Sequence, residues 1–177
     1  MDGEKTVLRN AIRSIPDFPK PGILFRDFTP LLEDAALFRR LIDLMVRECA
    51  DLSPAKVVGV DARGFIIGAA LAHALGLGFV PVRKKGKLPS ETISQSYELE
   101  YGHAELEIHT DSISAGERVL LVDDLLATGG TAGAALRLLD RLGARVERVL
   151  VVVELVGLGG RSVLAPVEVR SLISYDD

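Results

Sequence analysis

Apolar residues return along this chain with two different periods. From about Glu4 to Ser14, and again from Ala35 to Ala50, they recur every three or four positions, the spacing of one helix face. Asp34 stands ahead of the second run as a candidate N-cap. Between the two, Ile15 to Pro30 carries Pro16, Pro19, Pro21 and Pro30, which excludes a regular helix. From Lys56 onward short blocks of Val, Ile and Leu take over: Lys56 to Asp61, Phe79 to Arg83, Glu117 to Asp124 and Val146 to Leu155, with Val167 to Ile173 as a candidate fifth. Helical stretches lie between them, one ending near Leu75 and one from Gly130 to Leu142. Alternating residues from Thr92 to Glu100 and from Ala104 to His109, meeting at Tyr101-Gly102, predict a β-hairpin long enough to stand away from the core.

Buried strands alternating with helices imply right-handed βαβ units, hence an α/β fold with a mainly parallel central sheet flanked by helices. Ligands of such sheets sit beyond the carboxyl ends of the strands. The nineteen residues from Gly64 to Val82 carry no formal charge, long enough in principle to span a bilayer. His73, Gly76, Gly78 and Pro81 interrupt them, and the pattern turns from helix to strand near Gly76, so the segment is read as soluble structure. With no internal repeat or low-complexity linker, the 177 residues are expected to form one domain.

A composition of 48% hydrophobic and 26% charged residues is that of a globular protein, and the net charge of -4 argues against a general nucleic-acid binder. Phosphate recognition must then be local. Cys49 has no partner in the chain, so no disulfide framework is implied and a reducing cytoplasm is the expected setting. Met1 to Asn10 is charged and shows no signal-peptide pattern.

The chemistry concentrates in Val119-Leu-Leu-Val-Asp-Asp-Leu-Leu-Ala-Thr-Gly-Gly-Thr131. An apolar strand ends in Asp123 and Asp124, and a turn of small residues then opens a helix. Gly129 and Gly130 allow close approach of an anion to the backbone, Thr128 and Thr131 offer hydroxyls, and the helix start presents free amides. The acid pair can accept hydrogen bonds from vicinal ribose hydroxyls and hold water around a divalent cation. An acidic turn that only caps a helix is the plainer alternative, and the contiguous run argues against it. The glycine-rich signatures of P-loop and dinucleotide-binding proteins are absent.

This run resembles the phosphate loop of the type I phosphoribosyltransferases, and among them the adenine enzymes. The similarity extends over nearly the whole chain, through Phe18-Pro-Lys-Pro-Gly-Ile-Leu-Phe-Arg-Asp-Phe-Thr-Pro30, Asp61-Ala-Arg-Gly-Phe65, Arg83-Lys-Lys-Gly-Lys-Leu-Pro89 and Tyr97-Glu-Leu-Glu-Tyr-Gly102. It implies transfer of the phosphoribosyl group of phosphoribosyl pyrophosphate to adenine, giving AMP and pyrophosphate in purine salvage, with Mg2+ held mainly by substrate and water and no direct protein ligand. Ala127, Thr128, Gly129, Gly130 and Thr131 would cradle the 5-phosphate, and Asp123 and Asp124 the ribose hydroxyls. Arg63 and Lys84 would face the pyrophosphate, with Arg83 and Lys87 also contacting substrate, whereas Arg83, Lys84, Lys85 and Lys87 taken alone read more often as a solvated basic loop or a weak anion patch. Residues 1–33 would form a hood over the base, with Leu24, Phe25, Arg26 and Leu155 around adenine, whereas composition alone favours Leu24, Phe25 and Phe28 packing a loop onto the core. Glu100, followed by Tyr101, would come down over the reacting centre as general acid or base, the alternative being an exposed strand carboxylate like Glu98, Glu105 and Glu107. The resemblance further implies a cis peptide between Asp61 and Ala62 and a homodimer, with no nucleic-acid or membrane partner. Transfer to a 6-oxopurine or a pyrimidine is the neighbouring reading, and a nucleic-acid-binding sensor of the same fold would require a basic face.

Overall fold

The computed structural model describes residues 2–99 and 102–176. The chain divides into two compact units, residues 1–47 and 48–177.

The first unit opens with helix α1 (Asp2–Ala11), followed by strands β1 (Arg13–Pro16) and β2 (Leu24–Asp27), the short helix α2 (Thr29–Glu33) and helix α3 (Ala35–Arg47). The helix expected to reach Ser14 stops at Ala11, because Arg13 to Pro16 pair antiparallel with Leu24 to Asp27. Pro16 favours this outcome, since a residue preceding proline is driven from helical to extended backbone. Buried Asp27 fastens the ribbon: Arg13 Nη2 lies 2.9 Å from its Oδ2, and the Thr29 amide donates to its Oδ1 at 3.0 Å. Asp34 caps α3 as expected, its Oδ1 accepting from the Ala36 and Leu37 amides at 2.9 Å.

The second unit contains β3 (Lys56–Val60), α4 (Arg63–Leu75), β4 (Gly78–Lys84), β5 (Thr92–Leu99), β6 (Gly102–His109), β7 (Arg118–Leu126), α5 (Gly130–Arg141), β8 (Arg145–Leu155), a single 3-10 turn (Val156–Leu158), the four-residue helix α6 (Gly160–Val163) and β9 (Val169–Tyr175). Seven strands form one sheet in the order β5-β6-β4-β3-β7-β8-β9. β4, β3, β7, β8 and β9 run parallel, and the β5-β6 hairpin joins antiparallel at the β4 edge.

Alternation along the strands separates the two faces of the sheet. Val58, Val80, Leu121 and Val149 point to one side, where they join Ala134, Ala135, Leu138 and Leu139 of α5 in the main core. Gly59 and Phe79 belong to the other side, against which α4 packs; a Cβ placed on Gly68 of α4 would meet the Phe79 ring at 3.0 Å. α4 ends at Leu75 through Gly76 in the left-handed conformation, and β4 begins two residues later. No helix among the described residues is long and apolar enough to cross a membrane.

The hairpin does not stand wholly away from the core. Its root is built in, because β6 pairs with β4 at Arg83 and Lys84, and Leu106 and Ile108 are fully buried. The Glu107 carboxylate is buried too, in contrast to the exposed strand position expected of it.

At the opposite end of β8, the buried Arg148 guanidinium replaces the last turn expected of α3. It donates to the Glu48 carbonyl, forms a two-point pair with Asp51 at 2.9 Å and reaches Glu168 Oε2 at 2.6 Å. Cys49 lies buried beside it, and burial raises its thiol pKa to about 11.

The Arg148 hydrogen bonds hold the Asp51 carboxyl at a pKa of about 2, below its ordinary 3.8. A lowered folded-state pKa adds stability that is complete above the unfolded value and fades as pH falls through the folded one. The difference in urea midpoint between wild type and Asp51→Asn should therefore be constant above about pH 5 and shrink below about pH 4. A difference unchanged at about pH 3 would show that the Asp51 charge contributes nothing.

Candidate active site

A cleft of about 320 Å³ opens at the carboxyl ends of β3 and β7, lined by Asp61, Ala62, Arg63 and the continuous run Asp123 to Ala132. The parallel sheet dictates this position: both strands end on the same edge, and each hands the chain to a helix that starts there. Asp61 and Ala62 are joined by a cis peptide, at the junction where the family resemblance implies one.

Asp123 and Asp124 are both buried. Asp123 Oδ1 accepts from the Asp124 amide at 2.9 Å. Burial, reinforced by the neighbouring Asp124 charge, raises the Asp123 pKa well above the ordinary carboxylate range; the Asp124 amide and Arg63 oppose that rise. Asp124 Oδ2 lies 2.8 Å from Arg63 Nη2 as an ion pair without hydrogen-bond alignment, and this buried oxygen receives no hydrogen bond among the described residues. The site thus holds an acceptor with spare capacity, a condition that a folded protein normally relieves with a ligand or water. Gly64 makes the arrangement fit. A Cβ there would stand 2.9 Å from Asp123 Oδ1 and 3.2 Å from the Val122 carbonyl oxygen.

Across the cleft, α5 starts at Gly130 with Gly129 as its N-cap, φ +83°, in a conformation that glycine adopts without steric penalty. Neither a side-chain cap nor an acidic residue occupies its first turn. The amides and the positive end of the helix dipole are left for an anion. Ala127, Thr128, Gly129, Gly130 and Thr131 all line this wall.

The remaining expected residues are spread more widely. Arg63 starts α4 and lines the cleft, so the helix-start salt bridge with Asp124 and the position facing a ligand are one and the same. Arg83 is engaged structurally: its Nε lies 3.3 Å from Asp61 Oδ2, its Nη1 donates to the Lys87 carbonyl at 3.0 Å, and its guanidinium sits 5.9 Å from the centre of the Phe65 ring. Lys84 and Lys87 are exposed. Glu107 orders their loop. Burial alone would raise its pKa, yet the amides of Gly86, Lys87 and Leu88 bring it below the ordinary value, the last two at 2.8 and 2.7 Å from Oε1. Leu155 ends β8. Leu24, Phe25 and Arg26 lie on β2, where Phe25 packs edge-on against Phe18 at 5.1 Å. Glu100 and Tyr101 lie outside the described residues.

Two features escaped the sequence reading. Asp61 lines the cleft, and Gly160 of α6 presses on the backbone of the turn before α5, a Cβ on it falling 2.2 Å from the Ala127 carbonyl oxygen. The Gly159-Gly160 pair, a few residues beyond a buried strand, was the available signal for the second.

Residues 31–164 match the phosphoribosyl transferase domain family. The adenine phosphoribosyltransferase of Carboxydothermus hydrogenoformans is 56% identical over 168 residues, 95% of this chain and 99% of its own length. The chain belongs to the adenine phosphoribosyltransferase family. Among solved structures, the adenine phosphoribosyltransferase of Thermoanaerobacter pseudethanolicus matches with a TM-score of 0.94 at 47% identity, over 97% of this chain and 99% of that one. The Saccharomyces cerevisiae enzyme, complexed with an imino-altritol bisphosphate and adenine, also gives 0.94, at 42% identity over the same shares. In this family setting, the cleft between Arg63 and Thr131 becomes the candidate active site.

Gly64→Ala should lower stability by about 1 to 3 kcal/mol, because the added methyl meets the Asp123 carboxylate and backbone. Thermal denaturation tests this; an unchanged melting temperature would mean that the strand and helix separate freely at this contact.

Proposed function

We propose that this chain transfers the phosphoribosyl group of 5-phospho-α-D-ribose 1-diphosphate to adenine, releasing AMP and pyrophosphate, and that the cleft at the end of β7 holds the sugar phosphate. The observation that carries this reading is the pairing of an uncapped helix start with two buried carboxylates, one of which keeps an unused acceptor oxygen.

In this reading the amides and hydroxyls of Ala127 to Thr131 bind the 5-phosphate, while Asp123 and Asp124 accept from the ribose diol. Arg63 exchanges Asp124 for a pyrophosphate oxygen, with Lys84 and Lys87 adding positive charge from the exposed loop and Arg83 holding that loop to Asp61. As pyrophosphate departs the anomeric carbon gains positive charge, which the fixed carboxylates stabilise without reorganising. Adenine N9 attacks from the opposite face. Glu100 handles the ring proton, and Tyr101 helps to cover the centre. Leu24, Phe25, Arg26 and Leu155 supply the apolar and backbone contacts to the base.

The residues present also fit Mg2+. The acceptor oxygen that Asp124 leaves unused can take a hydrogen bond from a water held by such an ion, whose other ligands would be phosphate oxygens. Asp123 and Asp124 would hold its water shell, and the ion would neutralise leaving-group charge. A homodimer in the cytoplasm completes the proposal, and the half-exposed Ile66 of α4 is consistent with a second copy packing there.

Purified protein should form AMP from adenine, phosphoribosyl pyrophosphate and Mg2+, and Asp123→Asn and Asp124→Asn should each lower kcat/KM by about a hundredfold or more. A preference for guanine or hypoxanthine in a panel of bases would refute the assignment of adenine. Glu100→Gln should reduce kcat, and a wild-type turnover number would remove Glu100 from the proton transfer.

A further inference from the structure

The segment after β8 poses a packing problem. Val156, Leu158 and Val163 are 47, 50 and 53% exposed, so residues 156–163 bury little apolar surface of their own. Apolar burial is what usually fixes a short connection in place, and a four-residue helix has no intrinsic stability. Yet this segment touches the phosphate loop backbone to backbone. A Cβ on Gly129 would stand 2.7 Å from the Gly160 carbonyl oxygen, and one on Gly160 would stand 2.9 Å from the Gly129 nitrogen.

Leu164, buried in the main core, anchors the segment's C-terminal end, and polar contacts fix the rest. Glu154, buried at the end of β8, takes a fork from Arg161: Nε to Oε1 at 2.9 Å and Nη2 to Oε2 at 2.5 Å. The third guanidinium nitrogen donates to the Val169 carbonyl at 2.6 Å, and Ser171 Oγ donates to Glu154 Oε2 at 2.7 Å. One arginine therefore ties α6 to both β8 and β9, and a two-point charged pair fixes orientation as well as distance.

We propose that Glu154 and Arg161 are positioning residues for the sugar-phosphate pocket, their pair setting α6 so that the Gly160 backbone buttresses the turn from Ala127 to Gly129. This rests on the reading of that turn as the 5-phosphate site. Neither side chain needs to touch substrate. Loss of the pair lets α6 drift, and the amides that it backs lose the geometry a phosphate requires.

The test uses the full chain, with KM for each substrate, kcat, the dissociation constant of ribose 5-phosphate and the melting temperature measured for every variant. Arg161→Ala and Gly160→Ala should each raise the KM for phosphoribosyl pyrophosphate and weaken ribose 5-phosphate binding by about ten- to a hundredfold, while kcat and the KM for adenine move far less. Arg161→Lys, which keeps the charge and loses the fork, should recover part of that affinity. Lower melting temperatures with wild-type affinities would overturn the proposal, since the pair would then only stabilise the fold. Should Arg161→Ala fail to fold, Arg161→Lys and Gly160→Ala decide the matter by the same measurements. Thr131→Val separates the two levels. If it weakens ribose 5-phosphate binding while the Arg161 and Gly160 variants do not, the buttress fails and the pocket stands; if Thr131→Val also binds normally, the phosphate site itself has been misplaced.

Discussion

Two consecutive carboxylates leave the core at the end of β7, and the surroundings must make their burial tolerable. Burying a carboxylate without compensation is unfavourable by several kcal/mol, on the order of the whole stability of a small domain. Here the compensation is partial and specific. Asp124 offers its amide to Asp123, Arg63 stands against Asp124, and Gly64 leaves room where any side chain would collide. Each of these is set by the edge where β3 and β7 both end. The sheet order, the turn at Asp61-Ala62 and the starts of α4 and α5 are the means by which that edge is furnished with one cation, one gap and one free set of amides.

What could be read from the chain beforehand was whatever is local. Strand, acids, small-residue turn and helix follow one another without interruption from Val119 to Thr131, so a single window contains most of the cleft, and the alternation of buried strands with helices gave the sheet class. The misreadings share a cause in long-range pairing. Ser14 had a helical pattern, but Arg13 to Pro16 found a partner strand. Glu107 sits in an alternating run that suggests one wet face, yet β6 joins β4 and the loop after β4 folds its amides onto that carboxylate. Nothing in the spacing of Glu154, Arg161 and Ser171 announces a network, since it forms only when β9 is laid beside β8.

The basic loop shows how order and availability can coexist. Its backbone is tied down by Glu107 and by Arg83, while the side chains of Lys84 and Lys87 remain in solvent. A buried carboxylate is well suited to such work, because it accepts several amides at once and its charge is stabilised by them. The lysines are thereby offered from a defined platform, with the entropy of the chain beneath them already reduced.

Cys49 has a practical bearing on how the molecule can be studied. It is the chain's only cysteine, it is buried, and its proton is held to about pH 11, so almost no nucleophilic thiolate exists under ordinary conditions. Burial and a suppressed thiolate both slow its reaction with maleimides. A cysteine introduced on the hairpin would carry a fluorophore or spin label at one place alone, without first stripping the wild-type background.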